Sequence, residues 1–348
     1  MMFPIKQLLV AAALGSALLA GCVTAKSTSS EATAEPMSPE VFATFDKRYG
    51  DPFFSKRGRL FLSMSPLGAS TVKLYEHLED GTLSPYPSAE LSEGFGAVIA
   101  ARVTDDGVIW ILDLGKRAFT GWDIEKNELV REIQLPADVL VEHSFLQDYA
   151  LDQKRNRAII ADMSQADLKS APVPAFIVVD LETGDARRIA EGHPSMMPEI
   201  EGGLALNPIT IDHEYEWIYF GALNGRTIYR VPTASFEGDG SKVADTIEEH
   251  GKKSFSDGMT IDTAGNIYVA DIEAMAIGLS TPEGFETIAA LPEGQSWPDG
   301  FAFGTDGYLY VTVNQLDRSA ALNDGTDKGT GTYMVLRFEP LAPGAIGR

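Results

Sequence analysis

The feature that most constrains this chain is a seven-residue strand that recurs six times. Gly265-Asn266-Ile267-Tyr268-Val269-Ala270-Asp271 has relatives at Gly58–Met64, Gly107–Asp113, Asn156–Asp162, Glu216–Ala222 and Gly307–Val313. The six copies end at residues 64, 113, 162, 222, 271 and 313, so their spacings are 49, 49, 60, 49 and 42 residues. Each copy is β-branched and aromatic, opens on a turn residue, and is too short and too closely punctuated for a helix.

A second apolar run precedes most copies and closes on an aspartate or turn: Tyr149–Asp152, Ile209–Asp212, Met259–Asp262 and Phe301–Phe303. A third follows at Thr71–Glu76, Ala118–Ile124, Ala175–Leu181, Thr227–Val231 and Tyr333–Phe338, and a weaker fourth at Leu129–Leu135 and Thr287–Leu291. Four antiparallel strands per period of this length describe a propeller blade, and radial closure hides most sheet edges. A β-sandwich also has many short strands but does not explain the period. The fold class is therefore all-β, a six-bladed β-propeller with four-stranded antiparallel blades. The last copy ends near Arg348 with no room for a fourth strand, so Val41–Lys47 is expected to pair with Tyr333–Phe338 and close the ring.

Ahead of the propeller, assigned to residues 41–348, stand two segments of different character. Residues 1–22 carry a lysine, an apolar run over Leu8–Ala20 and then Leu19-Ala20-Gly21-Cys22, which read as a lipoprotein signal peptide with a lipobox cysteine. The apolar run is short for a permanent span, which takes about 20 residues. Cys22 is the only cysteine, so no intrachain disulfide and no cysteine-based metal or nucleophile site exists. Residues 23–40, rich in Ser, Thr, Ala, Glu and Pro, read as a flexible tether. The expectation is an exported monomer, lipid-anchored at the bacterial outer membrane or facing the periplasm, touching membrane only through its anchor. Val23, following Cys22, favours the outer membrane under lipoprotein sorting rules. A formal charge of −22 argues against nucleic acid as a partner.

Aligning the copies on their aspartate turns brings Gln147, Asn207, Asp257 and Asp299 to one register, just before or at the start of the innermost strand. Equivalent positions of successive blades converge on the axis. Two carboxylates and two amide oxygens there form a set that a hard cation such as Ca²⁺ or Mg²⁺ accepts, with Asn207, Asp257 and Asp299 as ligands. Asp-Gly is also the commonest turn chemistry, so each aspartate taken alone reads as a loop cap. The second copy places Ile99 at this register and the first lands near Gly50 and Asp51, which leaves the ring incomplete. His143 and His193 precede inner strands and are candidates for the channel mouth, where a histidine exchanges protons near neutral pH. Neither a Gly-x-Ser-x-Gly elbow nor a His-Glu-x-x-His motif nor a phosphate loop occurs. No organic cofactor is expected.

The segments Phe255–Asp262 and Asn266–Asp271 resemble the regucalcin/gluconolactonase group of six-bladed propellers. Most of the chain, about residues 45–340, resembles bacterial members of the major royal jelly/yellow family. That likeness is carried by Arg59–Ser63, Thr71–Tyr75, Pro85-Tyr86-Pro87, Arg102 with Gly107–Gly115, Asn207–Phe220, Ser256–Asp271, Ser296-Trp297-Pro298-Asp299 and Gly307–Leu316. The gluconolactonase resemblance implies an axial divalent cation held by a glutamate, two asparagines and an aspartate that doubles as general base. Asn207 and Asp257 keep an asparagine and that aspartate, Gln147 stands at the other asparagine, and Gly50 and Asp51 occupy the glutamate's stretch. Half a set puts lactone hydrolysis in doubt. The yellow resemblance implies pigment-related tautomerisation or ligand binding. Three functions stay open: binding of a small polar or aromatic molecule at the axial mouth, a metal-assisted lactonase or tautomerase with Asp257 as base, and a non-catalytic interaction scaffold.

Overall fold

The computed structural model describes residues 39–68 and 70–347. Six four-stranded antiparallel sheets follow one another along the chain, spanning residues 49–85, 98–134, 146–189, 206–252, 256–290 and 298–338; these are blades 1 to 6. The first strand of each blade touches the first strand of the next, and blade 6 touches blade 1 again, so six inner strands surround one axis. Glu40–Phe45 adds outside Tyr333–Phe338 as the fourth strand of blade 6, pairing Phe45 with Tyr333 and Glu40 with Arg337. The expected closure is made by this segment, but it starts at Glu40, inside the stretch assigned to the tether, and ends at Phe45 rather than Lys47.

The recurrent strand is the second of each blade, and its burial explains its composition. Ile267–Asp271 and Leu309–Val313 are buried at every position because neighbouring blades cover both faces. Such strands read as continuous apolar runs, whereas alternation marks a sheet with one wet face. The hydrophobic clusters accordingly lie between blades: Phe119, Tyr149 and Ile160 join blades 2 and 3, and Phe176, Phe220 and Ile261 join blades 3 to 5. Outer strands fan apart. Glu128–Gln134 is exposed at six of its seven positions, which is why the fourth run of each copy is the faintest in the sequence.

At one end of the axis the C-terminal tail lies across the channel. Gly344 bridges to Asp262 and rests on the Phe303 ring so closely that a Cβ there would sit 2.0 Å from the ring carbon, and Gly347 lies against the Val103 carbonyl. These contacts fall at or just beyond the far ends of three inner strands, and the candidate site occupies the opposite end.

Candidate functional site: an acidic floor at the axial mouth

All six inner strands lose register with their partners at the same place. The irregularity falls between Tyr49 and Pro52, Val98 and Ala100, Leu146 and Asp148, Leu206 and Ile209, Ser256 and Met259, and Pro298 and Phe301. A bulge inserts extra residues into one strand and re-aims their side chains. Of the residues so released, Gly50 and Asp51, Ile99, Gln147, Asn207, Asp257 with Gly258, and Asp299 line one cavity. Gln147, Asn207, Asp257 and Asp299 therefore meet as their common register requires. Asp51, on a blade read from sequence as lacking a counterpart, joins them, and so does Asp148.

Asp257 is the centre. Its Oδ1 accepts a hydrogen bond from Asn207 Nδ2 at 2.7 Å and a long one from Gln147 Nε2 at 3.5 Å, and its Oδ2 accepts one from the Trp297 indole N–H at 2.7 Å. Trp297 holds a left-handed backbone, φ 57°, unusual for a bulky residue and paid for by the surrounding turn, in which Asn314 N–H donates to the Trp297 carbonyl. Asp299, close enough to Asp257 for their charges to oppose each other, accepts from Asn314 Nδ2 at 2.5 Å. Two glycines permit this crowding. A Cβ on Gly258 would lie 2.3 Å from the Asp299 carbonyl oxygen, and one on Gly300 would lie 2.0 Å from Asp51 Oδ1.

Arg102, beyond the cavity lining, backs the other side of the floor. Its Nη2 donates to both oxygens of Asp148, at 2.8 and 2.9 Å, its Nη1 donates to the Ala101 carbonyl, and Nη1 stands 4.0 Å from Asp51 Oδ2. The guanidinium lies over Tyr149 and Phe53, from blades 3 and 1.

Four carboxyls removed from water with one guanidinium cannot all remain ionised at ordinary cost. Burial first, then the negative charge of Asp148, pushes Asp51 up to about 8, with Arg102 pulling the other way. Burial lifts Asp148 to about 6 against the pull of Arg102. Asp299 is pushed well above the carboxylate range by burial and by the charges of Asp257 and Asp51. Burial also raises Asp257, opposed by the N–H groups of Trp297 and Asn207. The Asp51 carboxyl thus keeps its proton up to about pH 8, while Asp257 and Asp299 stand as neighbouring acids whose affinity for protons burial has raised. Such a pair can accept a proton at one oxygen and deliver one from the neighbouring carboxyl.

Above the floor the wall is apolar: Leu67, Phe145, Met163, Leu204, Leu223 and Leu316 line it, with the Trp297 ring. The atom-free space, counted out into open solvent at the mouth, is about 800 Å³. The carboxamide oxygen of Gln147 is buried without a hydrogen-bond partner.

Two expectations do not survive the geometry. His143 and His193 do not line the cavity; His193 instead caps a short 3₁₀ turn at Pro194–Met196, accepting from the Ser195 N–H, because Gly192 and Pro194 bend the chain there. Asn207, Asp257 and Asp299 do meet, but not as a cation's ligands. A hard cation takes six or more inward-facing oxygens, whereas both oxygens of Asp257 are held by N–H donors, one of them an indole that has no oxygen to offer. Among the described residues no three histidine, cysteine, aspartate or glutamate side chains are placed to hold a metal ion. The residues present do not fit the implied Ca²⁺ or Mg²⁺. Cys22 lies outside the described residues.

Fold and site define a six-bladed propeller with an acidic cluster at one axial mouth. The sequence profile of the major royal jelly proteins matches residues 97–330, and the chain belongs to that family. No curated protein sequence matches it. Among solved structures, a luciferin-regenerating enzyme superposes with TM-score 0.61 at 12% identity, over 89% of this chain and 98% of its own. Regucalcin from Agrobacterium tumefaciens, described as a calcium-binding protein, gives 0.59 at 17% identity, over 90% of this chain and 98% of its own. A gluconolactonase from Xanthomonas campestris gives 0.56 at 12%, over 87% of this chain and 97% of its own. At such identities the likeness is one of fold.

Proposed function

We propose that the axial cavity binds a small organic molecule whose apolar or aromatic body packs against the leucine-rich wall and whose polar, hydrogen-donating head faces Asp257 and Gln147. One observation carries this reading: the cavity is divided, apolar wall above and acid oxygens with the unsatisfied Gln147 amide oxygen below. Such a division suits one orientation of an amphipathic ligand and penalises the reverse. The test is calorimetric titration of the mature protein with a panel of aromatic amines, catechols, quinones and lactones. At least one class should bind, and Asp257→Asn should weaken it tenfold or more, the loss of about 1.4 kcal/mol. Binding unchanged by the substitution would move the site elsewhere.

A second reading rests on the Asp257–Asp299 pair. Two neighbouring carboxyls whose affinity for protons is raised are the groups that tautomerisation or lactone opening needs, and the similar Xanthomonas campestris structure is a gluconolactonase. Turnover of a bound lactone or quinone, lost in both Asp257→Asn and Asp299→Asn, would establish it; binding without turnover leaves a carrier.

The N-terminal reading completes the proposal: export, and attachment through a lipid on Cys22, in a protein working as a monomer. Labelling cells with a fatty-acid analogue should mark the parent and not Cys22→Ser. Equal label would refute the anchor.

A further inference from the structure

The acidic floor has to be neutralised by something, and the fold has put a side chain where an ion would otherwise be required. Asp51, Asp148, Asp257 and Asp299 come from blades 1, 3, 5 and 6, and each lines the same cavity. Uncompensated carboxylates gathered on one cavity floor oppose one another and the fold. Arg102, from blade 2, reaches between blades 1 and 3, donating to both oxygens of Asp148 and standing 4.0 Å from Asp51. Its side chain is 11% exposed, and its guanidinium plane is fixed by Phe53 and Tyr149 and by the bond to the Ala101 carbonyl. An arginine held this way is not a passing surface partner. Among the described residues it forms an ion pair with no other acid, and it is always charged. Meanwhile the oxygens a divalent ion would claim on Asp257 already accept from Asn207 and Trp297.

We propose that Arg102 is the resident cation of the axial site, and that the site assembles without a divalent metal. The guanidinium does permanently what an exchangeable ion would do, holding Asp51 and Asp148 in place from behind the floor. Asp257 is left lining the cavity with neutral hydrogen-bond donors rather than a cation as its partners. The inference stands apart from the ligand reading, because it is measured with no ligand present.

The experiment is thermal unfolding of the mature protein in chelator, in Ca²⁺ and in Mg²⁺ at matched ionic strength, with elemental analysis of the purified sample. The parent should carry no stoichiometric divalent metal and melt at the same temperature in all three. Arg102→Met, which keeps the bulk and removes the charge, should melt several degrees lower. Should that variant fail to fold, Arg102→Met combined with Asp148→Asn removes opposite charges together and should fold, recovering most of the loss. A parent that contains stoichiometric metal, or that Ca²⁺ or Mg²⁺ stabilises in an Asp257-dependent way, overturns the proposal. So does a double variant no better than the single one.

Discussion

The axial ring is made of two arcs that bury acid by different means. In blades 4 to 6, Asp257 and Asp299 are satisfied by neutral N–H donors, the amides of Asn207 and Asn314 and the indole of Trp297. In blades 1 to 3, Asp51 and Asp148 face a full positive charge on Arg102. Hydrogen bonds from neutral donors leave a carboxylate partly available, so the first arc can still receive a ligand. An ion pair behind aromatic rings commits its members to one another, so the second arc supports. The same six-fold bulge thus yields a working side and a holding side, and side-chain chemistry alone decides which is which.

That contrast sets the order of expected effects. Asp148→Ala leaves the buried Arg102 guanidinium with only Asp51 at 4.0 Å and should cost about 3–5 kcal/mol. Asn207→Ala, which deprives Asp257 of one neutral donor, should cost about 1–3 kcal/mol. Urea unfolding of both variants measures the difference; equal losses would mean that the arcs are not distinct.

A smaller effect is expected from pH. Asp51 and Asp148 are raised to about 8 and about 6 in the fold, above the ordinary carboxyl value of 3.8, so the folded state holds protons that the unfolded chain releases. Their contribution is full below about pH 4 and is lost as pH rises, through about 6 for Asp148 and about 8 for Asp51. The slope reaches at most about 1.4 kcal/mol per pH unit for each such proton. Asp51→Asn should remove the decline between pH 6 and 8 and make it about half as steep between pH 4 and 6, where Asp148 still contributes. Melting curves across this range that keep the parent's slope would show that Asp51 does not hold the proton.

The smallest effect belongs to Gln147. Its amide contact to Asp257 is long, 3.5 Å, and its oxygen has no partner, so Gln147→Leu should change stability by less than about 0.5 kcal/mol. Ligand affinity should nonetheless fall about fivefold, one hydrogen bond of about 1 kcal/mol. A large stability loss with unchanged affinity would make Gln147 a structural residue of the first kind of arc.

Much of this was legible beforehand, and the misses have physical causes. The six endpoints at 64, 113, 162, 222, 271 and 313 are the residues that pair with the last residue before each bulge, so the alignment located the mouth in every blade. Asn207, Asp257 and Asp299 stood out because each begins an Asn-Pro or Asp-Gly step at that register. Asp51 carries a proline after it rather than a glycine, which disguised it. Arg102 lies three residues past its blade's register position, Ile99, and only the approach of blades 1 and 3 shows what it serves. His143 and His193 were placed near the mouth by sequence distance, which does not say where a loop turns.

The sequence by itself determined the repeat, the blade count, the closing strand and the register that meets at the axis, because strand periodicity and turn chemistry are local and each blade repeats them. Only the tertiary structure decided the charge state of the floor. Whether four aspartates hold a metal, protons or an arginine depends on distances between blades far apart in the chain, and on which donor reaches which oxygen after the ring has closed.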